Sequence, residues 1–200
     1  MKRRPSSKTL VSGFLRRAVS YRRILLVGAL MLALLLTNCS PPTAKGTGFP
    51  SWSPDGTKIV FHSWSVKGLD AWVMNFGYPS WCLADSDVWV MDADGKNRRN
   101  LTNNSTVGNT HPTWSPDGSK IAFVSRRSGN PDIWVMNTDG TNEINLTYDF
   151  AEASGFFEAS APAWSPDGSK IAFMYNKNFV WDIWVMNVDG SNQKQLTFTK

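Results

Sequence analysis

Three segments of the chain share one pattern of apolar and polar positions. Each opens with Trp-Ser-Pro-Asp-Gly, starting at Trp52, Trp114 and Trp164, and continues with Lys-Ile-(Val/Ala)-Phe. Each then reads Asp-(Val/Ile)-Trp-Val-Met-(Asp/Asn)-x-Asp-Gly and closes with Leu-Thr. A repeat of about 40 to 60 residues made of short strands predicts an array of sheets and is typical of a β-propeller.

The second copy shows how one repeat forms one sheet. It predicts four strands, at 111–115, 120–125, 132–137 and 143–147. The second and third strands are apolar on both faces, which is typical of strands that are buried on both faces. Pro116, Asp117 and Gly118 suit the central and closing positions of a tight turn, with a positive φ at the glycine. A second tight turn is expected at Asp139-Gly140.

The fold class that follows is all-β. We predict three four-stranded antiparallel blades at about 49–109, 110–159 and 160–200, either open or part of a larger ring. Because the sheets need cover on both faces, the tryptophans of the repeats are expected to pack between blades. These are Trp52, Trp89, Trp114, Trp134, Trp164 and Trp184.

The repeat text resembles that of the TolB-type propeller. WSPDG-(S/T)-K-I-(A/V)-F, followed by D-(I/V)-W-V-M-(N/D)-x-D-G, carries the resemblance across 49–200. Such repeats occur in a protein of the bacterial envelope and in exported relatives. Similar repeats also precede serine peptidase domains. The resemblance therefore implies the fold and an exported setting, while the function depends on residues outside the repeat.

The first copy is longer than the others. Trp52 and Asp87 are 35 positions apart, against 18 between Trp114 and Asp132, and residues 70–75 repeat the text of the third strand early. Either 70–75 or 87–92 can be the third strand of this blade. We favour 87–92, because the spacing to the following turn and to Leu101-Thr102 is then the usual one.

The first 38 residues are predicted to be a helical export signal. Eight basic residues precede or flank a 13-residue apolar run, 24–36, which is shorter than the roughly 20 residues that a membrane span needs. An uncleaved anchor is the alternative. Leu36-Thr37-Asn38-Cys39 resembles a bacterial lipoprotein processing site, which implies a lipid on Cys39 and attachment to a membrane, although Asn38 departs from that pattern. An ordinary secretory cut is the other interpretation.

The charge of the chain lies in this signal. The net charge of the chain is +5. Residues 1–38 hold eight of its 21 basic residues and none of its 16 acidic ones, so residues 39–200 carry a net charge of −3. A basic groove for nucleic acid is therefore not expected. If Cys39 is lipidated, Cys82 has no partner within the chain and is either buried or paired with another molecule.

The irregular connections fall on one end of the predicted blades. In a four-stranded meander, both tight turns lie on one end (the turn end), and the connections after the second and fourth strands lie on the other (the loop end). Repeat proteins usually bind through irregular loops, so an envelope protein is expected to bind the loop end. The candidate aromatic residues at this end are Trp72, Tyr78, Trp81, Phe150, Phe156 and Phe157. The alternative is that they cover the axis or an open blade face.

A tether at 39–48 would hold that loop end close to the membrane. Ten residues reach at most about 35 Å, so the partner would be membrane-embedded or membrane-proximal.

No catalytic or metal-binding pattern emerges from the sequence. His62 and His111 are the only histidines, and no Gly-x-Ser-x-Gly accompanies them. Asn137-x-Asp139-Gly140 resembles the start of a calcium loop but is also what a hairpin turn requires. We therefore predict no cofactor, no metal and no enzymatic activity. The alternative is the propeller part of a truncated carbohydrate-active or peptidase-type protein.

Three blades are fewer than the four to eight typical of closed propellers. The sequence predicts an apolar face left open on the first blade and another on the last. A truncated gene product or a homodimer of three plus three blades in a six-bladed ring would account for them.

Overall fold

A computed structural model confirms the all-β class. It describes residues 44–66, 85–103, 108–148, 157–177 and 179–199, which fall within one compact unit, Thr43–Lys200. These residues form three four-stranded antiparallel sheets, each a meander in chain order. The predicted signal and Cys39 lie outside the described residues.

The strands follow the repeats. The first blade comprises β1 (Ala44–Trp52), β2 (Lys58–Val66), β3 (Asp85–Asp92) and β4 (Arg99–Asn100). The second comprises β5 (Asn109–Trp114), β6 (Lys120–Ser125), β7 (Asp132–Asn137) and β8 (Ile144–Asn145). The third comprises β9 (Phe157–Trp164), β10 (Lys170–Lys177), β11 (Val180–Asn187) and β12 (Lys194–Gln195).

The sequence predicted the bounds of the two central strands of a sheet better than those of its first and fourth strands. β6 and β7 have the predicted bounds, and β3 is the third strand of the first blade, as favoured; residues 70–75 lie outside the described part. The fourth strands are only two residues long. β1 begins at Ala44, within the segment predicted as a tether, because 44–48 pair with β2.

The core consists of two layers, one on each face of the second blade. On one face, Ile121 and Phe123 pack with Val60 and Val88 of the first blade. On the other, Ala122, Val124 and Ile133 pack with residues of the third blade, among them Ile171 and Phe173. The alternation of side chains along β6 therefore divides them between two neighbours, as the apolar pattern on both faces predicted.

Four of the six repeat tryptophans lie at these layers as expected. Trp114 is buried in the first layer, and Trp134, Trp164 and Trp184 pack against one layer or the other. Trp89 is partly buried. The expectation is wrong for Trp52, which is 59% exposed, because no described blade covers the face on which it lies.

The first tight turn of each blade is built by its Ser-Pro-Asp-Gly sequence. In the second blade, Gly118 has φ 71° and its N–H donates to the carbonyl of Ser115 at 2.9 Å. The Ser115 hydroxyl donates to Asp117 at 2.6 Å and accepts from the N–H of Lys120 at 2.9 Å. The Ser115 hydrogen bond, followed by those from Ser119, lowers the pKa of Asp117 to about 2. The predicted turn is confirmed.

Candidate interaction surfaces

The first strands of the three blades lie side by side and share an irregularity. β1, β5 and β9 contact one another in series. The register of each shifts at a residue that precedes a proline. These residues are Phe49, His111 and Ala161, with φ between 49° and 51°. Proline cannot donate to a strand ladder, so the bulge falls where the ladder loses a donor.

An aromatic cluster forms at this bulge. The ring centroids of Phe49 and His111 are 3.8 Å apart, and those of Phe49 and His62 are 5.2 Å apart. His62 is buried on β2, whereas Phe49 is 54% exposed. We call Phe49, His62 and His111 the histidine cluster.

Burial keeps the histidine cluster uncharged at neutral pH. Burial, and secondarily the proximity of His111, lowers the pKa of His62 to about 4. Burial also lowers the pKa of His111. The Nδ1 of His62 has no hydrogen-bond partner among the described residues, whereas Nδ1 of His111 lies 3.0 Å from the Thr110 hydroxyl. These properties suit packing and contact with an apolar group better than general acid–base chemistry, which favours a pKa near the working pH.

Two concave regions adjoin the blades. One is a cavity of about 300 Å³ beside the histidine cluster, whose wall includes Phe49, Met174 and Trp181. The other is a groove of about 670 Å³ between the turns of the first and second blades. The cavity is the more apolar of the two and can hold a side chain of a partner, whereas charged groups such as Asp55 and Arg99 line the groove.

The predicted site residues lie mostly outside the described part of the chain. This applies to Cys39, Trp72, Tyr78, Trp81, Phe150 and Phe156. Phe157 is the first residue of β9 and therefore lies at the loop end. Tyr148, which follows β8 at the same end, is 68% exposed. The aromatic candidates therefore stay predictions.

Two further features are absent from the described ranges. These ranges contain no group of three or more histidine, cysteine, aspartate or glutamate residues that could hold a metal ion. Within the same ranges, no helix has the length and apolar character needed to cross a membrane.

One buried polar network was missed by the sequence analysis. The Thr147 hydroxyl accepts from the N–H of Ile133 at 3.0 Å and donates to Asp132 at 2.9 Å, while Asn145 donates to the other Asp132 oxygen at 2.9 Å. Equivalent bonds join Asp87 to Thr102 and Asp182 to Thr197. The repeated Asp and Leu-Thr were the available signal, since they stand at a fixed distance in all three copies.

Comparison with known proteins identifies the type of blade. Residues 83–155 match the model of the TolB beta propeller domain. Over these residues the chain matches the TolB propeller type. A protein TolB homolog of Chlorobium luteolum is 35% identical over 107 residues, covering 41% of this chain and 24% of that relative. The Tol-Pal system protein TolB of Bordetella avium is 49% identical over 45 residues, covering 22% of this chain and 10% of its own length.

Solved structures support the same fold. A putative TolB from Agrobacterium tumefaciens superposes with a TM-score of 0.54 at 24% identity, covering 78% of this chain and 49% of that one. An oligogalacturonate lyase from Vibrio parahaemolyticus (TM-score 0.54, 20% identity, 74% and 40% coverage) has a similar fold. So does a puromycin-hydrolyzing peptidase from Mycobacterium tuberculosis (0.55, 15%, 76% and 22%). At these identities the likeness shows the fold alone, and the chain spans a quarter or less of the two curated relatives.

Proposed function

We propose that this chain is an exported, lipid-anchored module that binds a protein partner in the bacterial cell envelope and has no enzymatic activity of its own. The observation that carries the proposal is the match of residues 83–155 to the TolB propeller domain. The relative in Bordetella avium belongs by name to a Tol-Pal system. The partner is accordingly a protein of the envelope, on the periplasmic side where two membranes are present.

The anchor in this proposal is a lipid on Cys39. Replacing Cys39 with alanine is expected to move the chain from the membrane fraction to the soluble fraction, because the thioether link is lost. Fractionation of cells, followed by mass measurement of the processed chain, tests this. A Cys39→Ala chain that stays in the membrane fraction with its first 38 residues intact would support the uncleaved anchor instead.

The partner is proposed to bind at the loop end. Two separate features support this: Tyr148 is exposed at this end, and an apolar cavity adjoins the histidine cluster. Exposed aromatic groups and apolar cavities are both typical of protein-binding surfaces. The sequence adds Phe156 and Phe157 to the same end.

Replacement of Phe156 and Phe157 with serine is expected to weaken capture of the envelope partner at least tenfold, since aromatic anchors often contribute about 2 kcal/mol or more. The measurement is affinity capture with the full chain from solubilised envelopes, quantified by mass spectrometry. Ile144→Ser is the matched control, because Ile144 is 57% exposed but lies on the outer strand β8. Equal capture by all three chains would argue against binding at the loop end.

We also propose that the module works as a pair of chains, with three blades from each copy in one ring. Six blades fall within the range of closed propellers, which is about four to eight.

A further inference from the structure

We propose that the outward face of the third blade is a docking surface for the first blade of a second copy of this chain. This inference rests on the pairing proposed above and assigns the two surfaces that make it. We call the outward face of the third blade the receiving face, and the open face of the first blade the inserting face. The contacts between the blades within the chain show which groups pack together where two blades meet.

The blades within the chain are joined by a repeated contact of turn glycines with the preceding blade. A Cβ added to Gly140 would lie 2.6 Å from the carbonyl oxygen of Leu101, and one added to Gly190 would lie 3.0 Å from that of Leu146. The second and third blades therefore each place a glycine turn against the Leu-Thr segment of the blade before. Only a residue without a side chain fits there without displacement of the backbone.

The receiving face repeats this surface, and no described residue covers it. Leu196 stands at the place of Leu101 and Leu146, yet it is 50% exposed where they are 7% and 8% exposed. Ile183 is 40% exposed, whereas its counterpart Ile133 is fully buried against the third blade. Side chains that are buried against the next blade elsewhere in the chain are thus present on the receiving face and exposed to solvent.

The inserting face carries the complementary groups. Gly95 is the counterpart of Gly140 and Gly190, with φ 83°, but no described atom lies within 4 Å of a Cβ added to it. Trp52 is 59% exposed, while its counterpart Trp114 is 9% exposed between two blades. The second and third blades each pack a glycine turn on the blade before them. The first blade has the same kind of turn, at Gly95, together with the exposed Trp52.

Polar groups at the two faces also correspond. Within the chain, Arg99 donates to the carbonyls of Asp139 and Thr138 at 2.8 and 3.2 Å. Lys194 holds the position of Arg99 in the third blade, so that it would face the equivalent carbonyls, those of Ala93 and Asp94, in the first blade of a second copy. Gln193 donates to the carbonyl of Leu146 at 3.0 Å, and Arg98, its counterpart in the first blade, would reach the carbonyl of Leu196.

The contact is head-to-tail, so it closes only if the rotation between blades allows it. Two copies supply six blades, which falls within the four to eight typical of closed propellers, and they make two identical contacts. We therefore expect a ring of two and not an open series of copies.

The test is the mass of the full chain, purified in detergent and followed on dilution by light scattering. The wild-type chain is expected to form a dimer, and Gly95→Ala to weaken it at least tenfold by the clash with Leu196 of the second copy. Gly56→Ala is the matched control. Gly56 also has a positive φ, but a Cβ at its counterpart Gly118 lies 3.7 Å from Pro54, which is ordinary contact, so this chain should remain a dimer.

A second variant covers the case in which Gly95→Ala fails to fold. Leu196→Glu places a charge on the exposed receiving face and is expected to give a folded monomer by circular dichroism. A wild-type chain that is monomeric at all concentrations would overturn the inference. Assemblies larger than two, or a dimer unaffected by both Gly95→Ala and Leu196→Glu, would overturn it as well. Partner capture is measured separately at the loop end, so loss of pairing with retained capture leaves the binding proposal intact.

Discussion

Replacing Gly140 with alanine is expected to lower the free energy of unfolding by about 2–5 kcal/mol. Alanine at a positive φ, here 88°, costs about 1–2 kcal/mol in backbone strain. The added methyl would also lie 2.6 Å from the Leu101 carbonyl oxygen, and overpacking of this kind costs about 1–3 kcal/mol more. Urea unfolding followed by tryptophan fluorescence measures the sum.

Gly129→Ala is the control that separates these two effects. Gly129 lies in the same blade with φ 105°, and no described atom lies within 4 Å of a Cβ added to it. This variant should show the backbone strain alone, and its unfolding free energy should fall by about 1–2 kcal/mol. Equal losses for the two variants would mean that the close packing of the second blade on the first is wrong.

Replacement of the Thr147 hydroxyl by a methyl group, in Thr147→Val, is expected to destabilise the chain by about 2–6 kcal/mol. Thr147 is fully buried, and valine has nearly the same shape. The N–H of Ile133 and one oxygen of Asp132 would each lose a partner without access to water, and such unpaired groups cost about 1–3 kcal/mol each.

Thr197→Val provides a matched comparison in the third blade. Thr197 makes the same two bonds, to the N–H of Ile183 and to Asp182, but its side chain is exposed and water can replace it. The N–H of Thr199 also donates to Asp182 at 2.9 Å. At a concentration where the chain is monomeric, this variant should lose less than about 1 kcal/mol. A loss as large as that of Thr147→Val would contradict the difference in burial.

The apolar pattern predicts the blades because each buried position of a strand takes an apolar residue, and the order of these residues is visible in the sequence. The bounds of β6 and β7 follow from runs that are apolar on both faces, and the turn at Pro116-Asp117-Gly118 follows from residues that each favour one backbone conformation. These signals are local, so the sequence alone displays them.

The features that sequence reasoning missed depend on groups that are distant in the chain. Thr147 and Asp132 are 15 positions apart, and their bond forms only once β7 and β8 are paired. Phe49 and His111 come together because the bulges of β1 and β5 lie side by side. The sequence predicted an open face on the first blade, but the exposure of Trp52 depends on its lying on that face, and a repeat that reads the same in every copy does not reveal this.

The most direct test of the proposed function compares the two ends of the blades in living cells. A photo-crosslinking amino acid is placed at Tyr148, which is exposed at the loop end, or at Lys96, which is exposed in a turn at the opposite end. We expect the Tyr148 probe to yield one discrete adduct with an envelope protein other than this chain, and the Lys96 probe to yield no adduct with that protein. An adduct of the same protein from Lys96 with none from Tyr148 would contradict binding at the loop end.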